Sequence, residues 1–286
     1  MTHVRVRHRS RLAEFGALLV ALPLAALAAT GRDDGALILG GAGKTGAIVA
    51  KLLVARGMPV TVFVRPATPR TRLAGLAVSY AVGDAMNPND VAAAFQGHHY
   101  SVVFETIQVA PDTPQSYTKL YQNFVPWARR TGVTQVISLG GGCGDRGPEE
   151  CPLSPVLYRL TKDMTRAEHV LRDSGVPYTI IRVGALIPGN PNDPAASMAT
   201  GQSFLTTDVQ QFGVSLRGDL AEQVVDCIGA ARCLNKIFVI DDPTLKPQLD
   251  HWLCKRRFET DTVHVVEPRC GDMPPFDRAS LHRIDP

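Results

Sequence analysis

The sequence predicts an α/β protein built on a doubly wound parallel sheet, and three observations lead there. From residue 36, short apolar runs alternate with longer segments of helical period, as a parallel sheet covered on both faces requires. The first run, ALIL at 36–39, leads into a glycine turn and then a helix. The chain has 286 residues, 45% hydrophobic and 20% charged, enough for one large α/β domain.

The elements follow in order. After ALIL, a helix carries Ile48, Val49, Leu52 and Leu53 on one face and stops at Gly57. PVTVFV (59–64) and VSYAV (78–82) read as the second and third strands. Asn87 followed by Pro88 opens a helix over NDVAAAF, with the asparagine as cap and the proline at its first position. YSVVFETI (100–107) is a fourth strand, and a helix over 114–131 leads to TQVISL (134–139), the fifth. Residues 155–174 are helical, YTIIRV (178–183) is a sixth strand, 219–230 a helix and KIFVI (236–240) the last core strand. Beyond Pro243 the alternation stops in a tail rich in charge and proline, with one strand-like piece, TVHVV (262–266).

LILGGAGKTGAI (37–48) holds the first functional signal. A triphosphate loop needs G-x-x-x-x-G-K-[ST]; counted back from Gly43-Lys44-Thr45, its first glycine falls on Ile38, inside the strand. Gly40, Gly43 and Gly46 instead form G-x-x-G-x-x-G between strand and helix. That arrangement brings backbone against a pyrophosphate and aims a helix N-terminus at it. Gly40, Gly41, Ala42, Gly43, Lys44, Thr45 and Gly46 are therefore candidate cofactor-binding residues. The second strand ends in Arg65, with Arg70 and Arg72 behind it, where folds that prefer NAD place an acid. An arginine there suits a 2′-phosphate, so the expected cofactor is NADP rather than NAD.

LILGGAGKTG, VTVFVRP, AVGD (81–84), SGVPYTIIRVGAL (174–186) and RGDLAEQVV (217–225) together resemble the atypical short-chain dehydrogenase/reductases. More narrowly they are similar to the NAD(P)-binding, NmrA-like group that includes flavin/biliverdin reductase B. The resemblance spans residues 36–241 in the right order and implies a Rossmann fold. It also implies that Gly83, Asp84 and Ala85 lie along the adenine and that Lys44 and Thr45 sit over the phosphates.

YRLTK places Tyr158 and Lys162 four residues apart, on one helical face. In short-chain dehydrogenases such a pair is catalytic: the phenol exchanges a proton with the substrate oxygen and the lysine holds the nicotinamide ribose. Those enzymes carry a serine or threonine just past the fifth strand, whereas here the turn reads SLGGGCGD, with Gly140-Gly141 at that place and Ser138 two residues deeper. Two functions stay open. One is an NADP-dependent oxidoreductase acting on a small carbonyl, quinone or flavin substrate. The other is a non-catalytic dinucleotide-binding sensor or scaffold of the NmrA-like kind. Glu105 and Asp84 lie at strand ends near the expected crevice without forming a dyad. His98 and His99 fall in a polar turn, and His169 reads as a packing residue.

The two ends carry separate signals. Residues 1–28 hold Arg5, Arg7, Arg9 and Arg11 against Glu14, and FGALLVALPLAALAA (15–29) ends in a small-x-small pattern. This is the pattern of a secretory signal peptide, with an uncleaved membrane anchor as the alternative. The remaining chain carries 26 basic and 26 acidic residues, which gives no footprint for nucleic acid. Six cysteines follow the signal-like segment: Cys143, Cys151, Cys227, Cys233, Cys254 and Cys270. Six allow 15 pairings; the expectation is local pairing, 143–151, 227–233 and 254–270, in an exported, oxidising setting. Cys254, His264 and Cys270 lack C-x-x-C spacing, so no metal site is expected. The expected organisation is a signal peptide or anchor at 1–28, a linker at 29–35, the dinucleotide-binding domain at 36–242 and a disulfide-stapled extension at 243–286.

Overall fold

Residues 35–109, 116–153, 155–187, 199–246 and 282–283 are described by a computed structural model, and they belong to the unit Arg32–Pro286. The expectations for residues 1–34, for Cys254 and Cys270 and for the strand-like 262–266 lie outside these residues.

The strands are β1 (Ala36–Leu39), β2 (Val60–Val64), β3 (Ser79–Val82), β4 (Val102–Glu105), β5 (Gln135–Gly141), β6 (Tyr178–Val183), β7 (Ala185–Ile187), β8 (Ala199–Thr200), β9 (Phe204–Thr206), β10 (Val214–Leu216), β11 (Lys236–Asp241) and β12 (His282–Arg283). The helices are α1 (Lys44–Ala55), α2 (Pro88–Phe95), α3 (Ser116–Arg130), α4 (Pro155–Arg172) and α5 (Arg217–Asp226). The main sheet has the order β3-β2-β1-β4-β5-β6-β11-β9. All its pairings are parallel except the edge pair β9–β11. The doubly wound sheet expected from the sequence is therefore present.

Alternation along β1 shows how both faces are filled. Ala36 and Ile38 pack with Val49 and Leu53 of α1 and Leu220 and Val224 of α5. Leu37 and Leu39 point the other way, toward Phe95 of α2, Leu120 and Phe124 of α3 and Leu171 of α4. Because β1 is central and buried on both sides, its sequence is continuously apolar rather than alternating. The Asn87 side chain accepts from Asn89 N at the start of α2, as the cap pattern requires. Pro126 sits inside α3, where it removes one helical N–H.

Two cysteine pairs expected from the sequence are disulfides, Cys143–Cys151 and Cys227–Cys233, each with Cα atoms 5.5 Å apart. No cysteine among the described residues is free. No helix among the described residues is long and apolar enough to cross a membrane.

Strand order reverses at β1: β2 lies on one side and β4 on the other. Ligands of doubly wound sheets bind in the crevice beyond the C-terminal ends of the strands at such a point. The turn after β1 and the segment after β4 form its walls.

Candidate functional site

The glycine turn is assembled from backbone contacts that side chains would obstruct. Gly40 leaves β1 with φ +83°, a left-handed conformation that glycine adopts without strain. Gly43 N donates to Gly40 O at 2.8 Å, and Ala47 N donates to Gly43 O at 3.0 Å as α1 begins. A Cβ on Gly46 would stand 2.6 Å from Gly40 O and 2.8 Å from Thr106 Oγ1, so the helix start is seated directly on the turn. Thr106 holds the far wall, its hydroxyl donating to Leu39 O at 2.9 Å.

The start of α1 is open. Gly43 is its N-cap and makes no side-chain cap hydrogen bond, and the first turn contains no acidic residue. Gly43 and Lys44 are exposed, Thr45 is half-buried, and Gly41, Ala42 and Gly46 are buried beneath them. A Cβ on Gly43 would meet only Gly40 O, at 3.0 Å, so the space beyond is clear for a ligand to approach the backbone. Unpaired amides and the positive end of the helix dipole favour an anion here. These residues fit a pyrophosphate.

The neighbouring strand ends form a second wall. Arg65 follows β2 and is exposed. Gly83 N donates to Val64 O at 2.9 Å, which sets the 83–85 segment beside it. Asp84 serves this turn: its carboxylate accepts from Met86 N at 2.9 Å, and its own N–H donates to Asp90 Oδ2 at 2.8 Å. Ala85 is buried, and its carbonyl accepts from Asn123 Nδ2. The two arginines after Arg65 part company. Arg70 lies over the Tyr80 ring, 4.3 Å from its centroid, whereas Arg72 reaches back to the glycine turn and donates loosely to Ala42 O at 3.5 Å. Sequence spacing did not separate them, because both lie in an irregular stretch without period.

Tyr158 and Lys162 share one face of α4, with Lys162 Nζ 6.0 Å from the Tyr158 ring centroid. Both are half-buried, and both are directed at the loop that follows β5. The Tyr158 hydroxyl donates to Arg146 O and Lys162 Nζ donates to Gly144 O, each at 3.2 Å. Thr165 Oγ1 also donates to Gly144 O, at 3.1 Å.

Gly140 and Gly141, expected in a turn past the fifth strand, are instead the last residues of β5, paired with Arg182 and Val183 of β6, and their lack of side chains has a packing cause. A Cβ on Gly140 would collide with the Glu168 carboxylate and lie 2.9 Å from Arg182 Cγ; one on Gly141 would lie 2.7 Å from Thr161 Cβ. The space a hydroxyl residue would need is taken by α4 and by an ion pair. Arg182 on β6 donates to Glu168 Oε2 at 2.7 Å, with both side chains buried, and also to the exposed Asp145 at 3.2 Å. Burial opposes the charge on Arg182, but the Glu168 carboxylate and then Asp145 outweigh it and raise its pKa. No local pattern announces this pair, whose partners are 14 positions apart on different elements. Ser138 is fully buried, and its hydroxyl has no partner among the described residues.

Glu105 closes β4 beneath the crevice, level with Leu39 of β1 and Ser138 of β5. Its Oε1 accepts from Ile107 N at 2.7 Å and its Oε2 from the Tyr121 hydroxyl at 3.1 Å. Burial lifts its pKa to about 8 against the pull of those two bonds, so the carboxyl is largely protonated at pH 7. Desolvation likewise raises Tyr121, with the Glu105 charge adding to it. His169 is exposed on α4 rather than packed, and His98 stacks on Tyr100. No group of three or more His, Cys, Asp or Glu among the described residues could hold a metal ion.

A buried strand, a glycine turn and an open helix start at the switch point of a doubly wound sheet define a dinucleotide-binding protein. Residues 40–230 match the NAD(P)H-binding family, and the chain belongs to it. Among solved structures, the anaerobillin reductase ChuY of Escherichia coli O157:H7 aligns at 24% identity and TM-score 0.60, covering 74% of this chain and 99% of that one. A short-chain dehydrogenase/reductase of Veillonella parvula, in complex with NADP, aligns at 20% identity and TM-score 0.57, over 73% and 95%. A nucleoside-diphosphate-sugar epimerase of Staphylococcus aureus aligns at 19% and 0.52, over 72% and 70%. At these identities the likeness establishes the shared fold.

Proposed function

We propose that this protein is an NADP-dependent oxidoreductase of the atypical short-chain type, acting on a small carbonyl, quinone or flavin substrate. The observation that carries the proposal is the convergence of Tyr158 and Lys162 on the loop after β5, which leaves the sheet at the same C-terminal strand ends as the glycine turn after β1. Two structural neighbours, a reductase and a short-chain dehydrogenase/reductase in complex with NADP, agree with it.

A bound nicotinamide dinucleotide supplies the hydride. Gly40 to Gly46 would hold its pyrophosphate at the α1 N-terminus, with Lys44 and Thr45 toward the phosphates. Arg65 would take the 2′-phosphate, Gly83, Asp84 and Ala85 would flank the adenine, and Lys162 would hold the ribose hydroxyls. The Tyr158 phenol gives its proton to the substrate oxygen as negative charge develops there. Two disulfides among the described residues support an exported protein, working where thiols are oxidised.

Replacing the phenol tests the proposal. General-acid catalysis contributes about 10²–10⁴-fold, so Tyr158→Phe should lose that much turnover on menadione or a simple aldehyde while binding NADPH nearly unchanged. Full turnover in Tyr158→Phe would remove Tyr158 from the chemistry. A second reading, a non-catalytic dinucleotide sensor, rests on the Gly140-Gly141 packing and on the buried Ser138, which leave no hydroxyl at the customary place. NADPH binding without reduction of any carbonyl, quinone or flavin would select it.

A further inference from the structure

We infer that the Cys143–Cys151 disulfide is a redox latch on Tyr158, holding the phenol against the loop when oxidised and releasing it when reduced. The inference rests on the proposed role of Tyr158 for its consequence in catalysis, but not for its structural content.

The loop between β5 and α4 has two unlike halves. Its first half is fixed to the body. Gly142 packs on Gly184, Cys143 is fully buried, and Gly144 O accepts from both Lys162 and Thr165. Asp145 pairs with Arg182, and the Arg146 guanidinium donates to Gly142 O, to Cys143 O at 3.1 Å and to Gln210 O at 3.0 Å.

The second half, Gly147 to Leu153, is different. Its hydrogen bonds are internal: Gly147 N to Glu150 Oε2 at 3.2 Å and Glu150 N to Gly147 O at 3.2 Å. Pro148, Glu149 and Glu150 are exposed. Among the described residues, the disulfide is the one covalent or hydrogen bond that ties this half back to the body before α4 begins, beside the attraction of the Glu150 carboxylate for Arg146 and the burial of Cys151.

Tyr158 is bonded at the junction. Its acceptor, Arg146 O, belongs to the Arg146–Gly147 peptide. Arg146 N donates to Cys143 O at 3.1 Å, so this peptide is held on its Arg146 side by the anchored half and on its Gly147 side by the second half alone. In the oxidised chain the phenol that should donate to substrate is therefore donating to a stapled carbonyl. A dithiol transfers two electrons and two protons to the disulfide, giving two thiols, and itself closes to a disulfide. Residues 147–153 then lose their tie, and the phenol loses a fixed acceptor. Lys162 keeps Gly144 O, because that carbonyl lies in the anchored half. The latch thus acts on proton donation and leaves the cofactor contact in place.

The test uses the full chain with Cys227→Ala/Cys233→Ala, so that Cys143–Cys151 is its single disulfide among the described pairs, with and without dithiothreitol. Cys143→Ala/Cys151→Ala provides a permanently open form. Amide exchange should accelerate at 147–153 in both open forms, and in Cys143→Ala/Cys151→Ala, which leaves no thiol there for tetranitromethane to oxidise, nitration of Tyr158 should rise about three- to tenfold, the population change one ordinary hydrogen bond sustains. Turnover of NADPH with menadione should rise by the same factor, with KM for NADPH unchanged. Equal nitration and exchange in closed and open forms overturn the latch, whatever the turnover. A rise in nitration and exchange with no turnover in either form upholds the latch and overturns the reductase assignment. Should the open variant not fold, amide exchange at 147–153 with and without dithiothreitol decides.

Discussion

Glu105→Gln should remove one buried carboxyl's share of the pH dependence of stability. The carboxyl is 1% exposed, and burial raises its pKa from an ordinary 4.5 to about 8. Between those values the folded chain keeps a proton that the unfolded chain releases. The contribution is thus fully present below pH 4.5 and is lost as pH rises through 8. At about 1.4 kcal/mol per pH unit, the loss between pH 5 and pH 8 is roughly 3–4 kcal/mol. A glutamine keeps the acceptor for Ile107 N and never ionises. Its amide can donate to the Tyr121 oxygen, which turns the phenol O–H toward the neighbouring Ser138 hydroxyl, the buried group that otherwise lacks a partner. Urea unfolding of both proteins across pH 5–9 measures the difference directly. The advantage of Glu105→Gln should grow by that amount over the window and level off above pH 8. A difference that does not vary with pH would refute the assignment of a protonated, buried Glu105.

Two further outcomes follow from the glycine positions. Gly46→Val places carbon atoms where Gly40 O and Gly41 Cα already lie within 2.7 Å of a Cβ, so NADPH affinity measured by fluorescence should fall at least about tenfold, the effect of losing roughly 1.4 kcal/mol. Gly140→Ser, which restores the hydroxyl usual in the resembled enzymes, should lower stability by about 1–3 kcal/mol through overpacking against Glu168 and Arg182. Thermal unfolding checks the cost, and a gain in turnover at unchanged stability would contradict the packing explanation.

Much of the fold was legible because its signals are local. Ala36 to Gly46 combines a run of buried apolar residues, a turn and a helix start within eleven positions, and the structure keeps all three. The Asn87-Pro88 start and the two short-range disulfides are equally local. The small strands β7 to β10 were not legible: two or three residues carry no period, and their pairing depends on distant partners. Helix ends drifted for the same reason, α5 running over Arg217–Asp226 rather than 219–230. For the candidate site, spacing and the family resemblance pointed to Tyr158, Lys162 and the glycines, but not to what surrounds them. Arg182–Glu168 joins β6 to α4, Arg146 binds Gln210 across the chain, and Arg72 folds back on the first turn. Such pairs have no signature in spacing, since each is made by the fold that brings its partners together. The meaning of Gly140-Gly141 was hidden likewise, as its cause is the ion pair behind it.

Whether the chain binds a phosphorylated nicotinamide dinucleotide at the glycine turn decides the cofactor site and the chemistry proposed on it. Equilibrium titration with NADPH and NADH, on the wild type and on Arg65→Asp, measures it. Saturable binding with NADPH favoured at least about tenfold, and that preference lost in Arg65→Asp, is the predicted result. Binding of neither dinucleotide would contradict the cofactor site, and an unchanged preference in Arg65→Asp would contradict the role of Arg65.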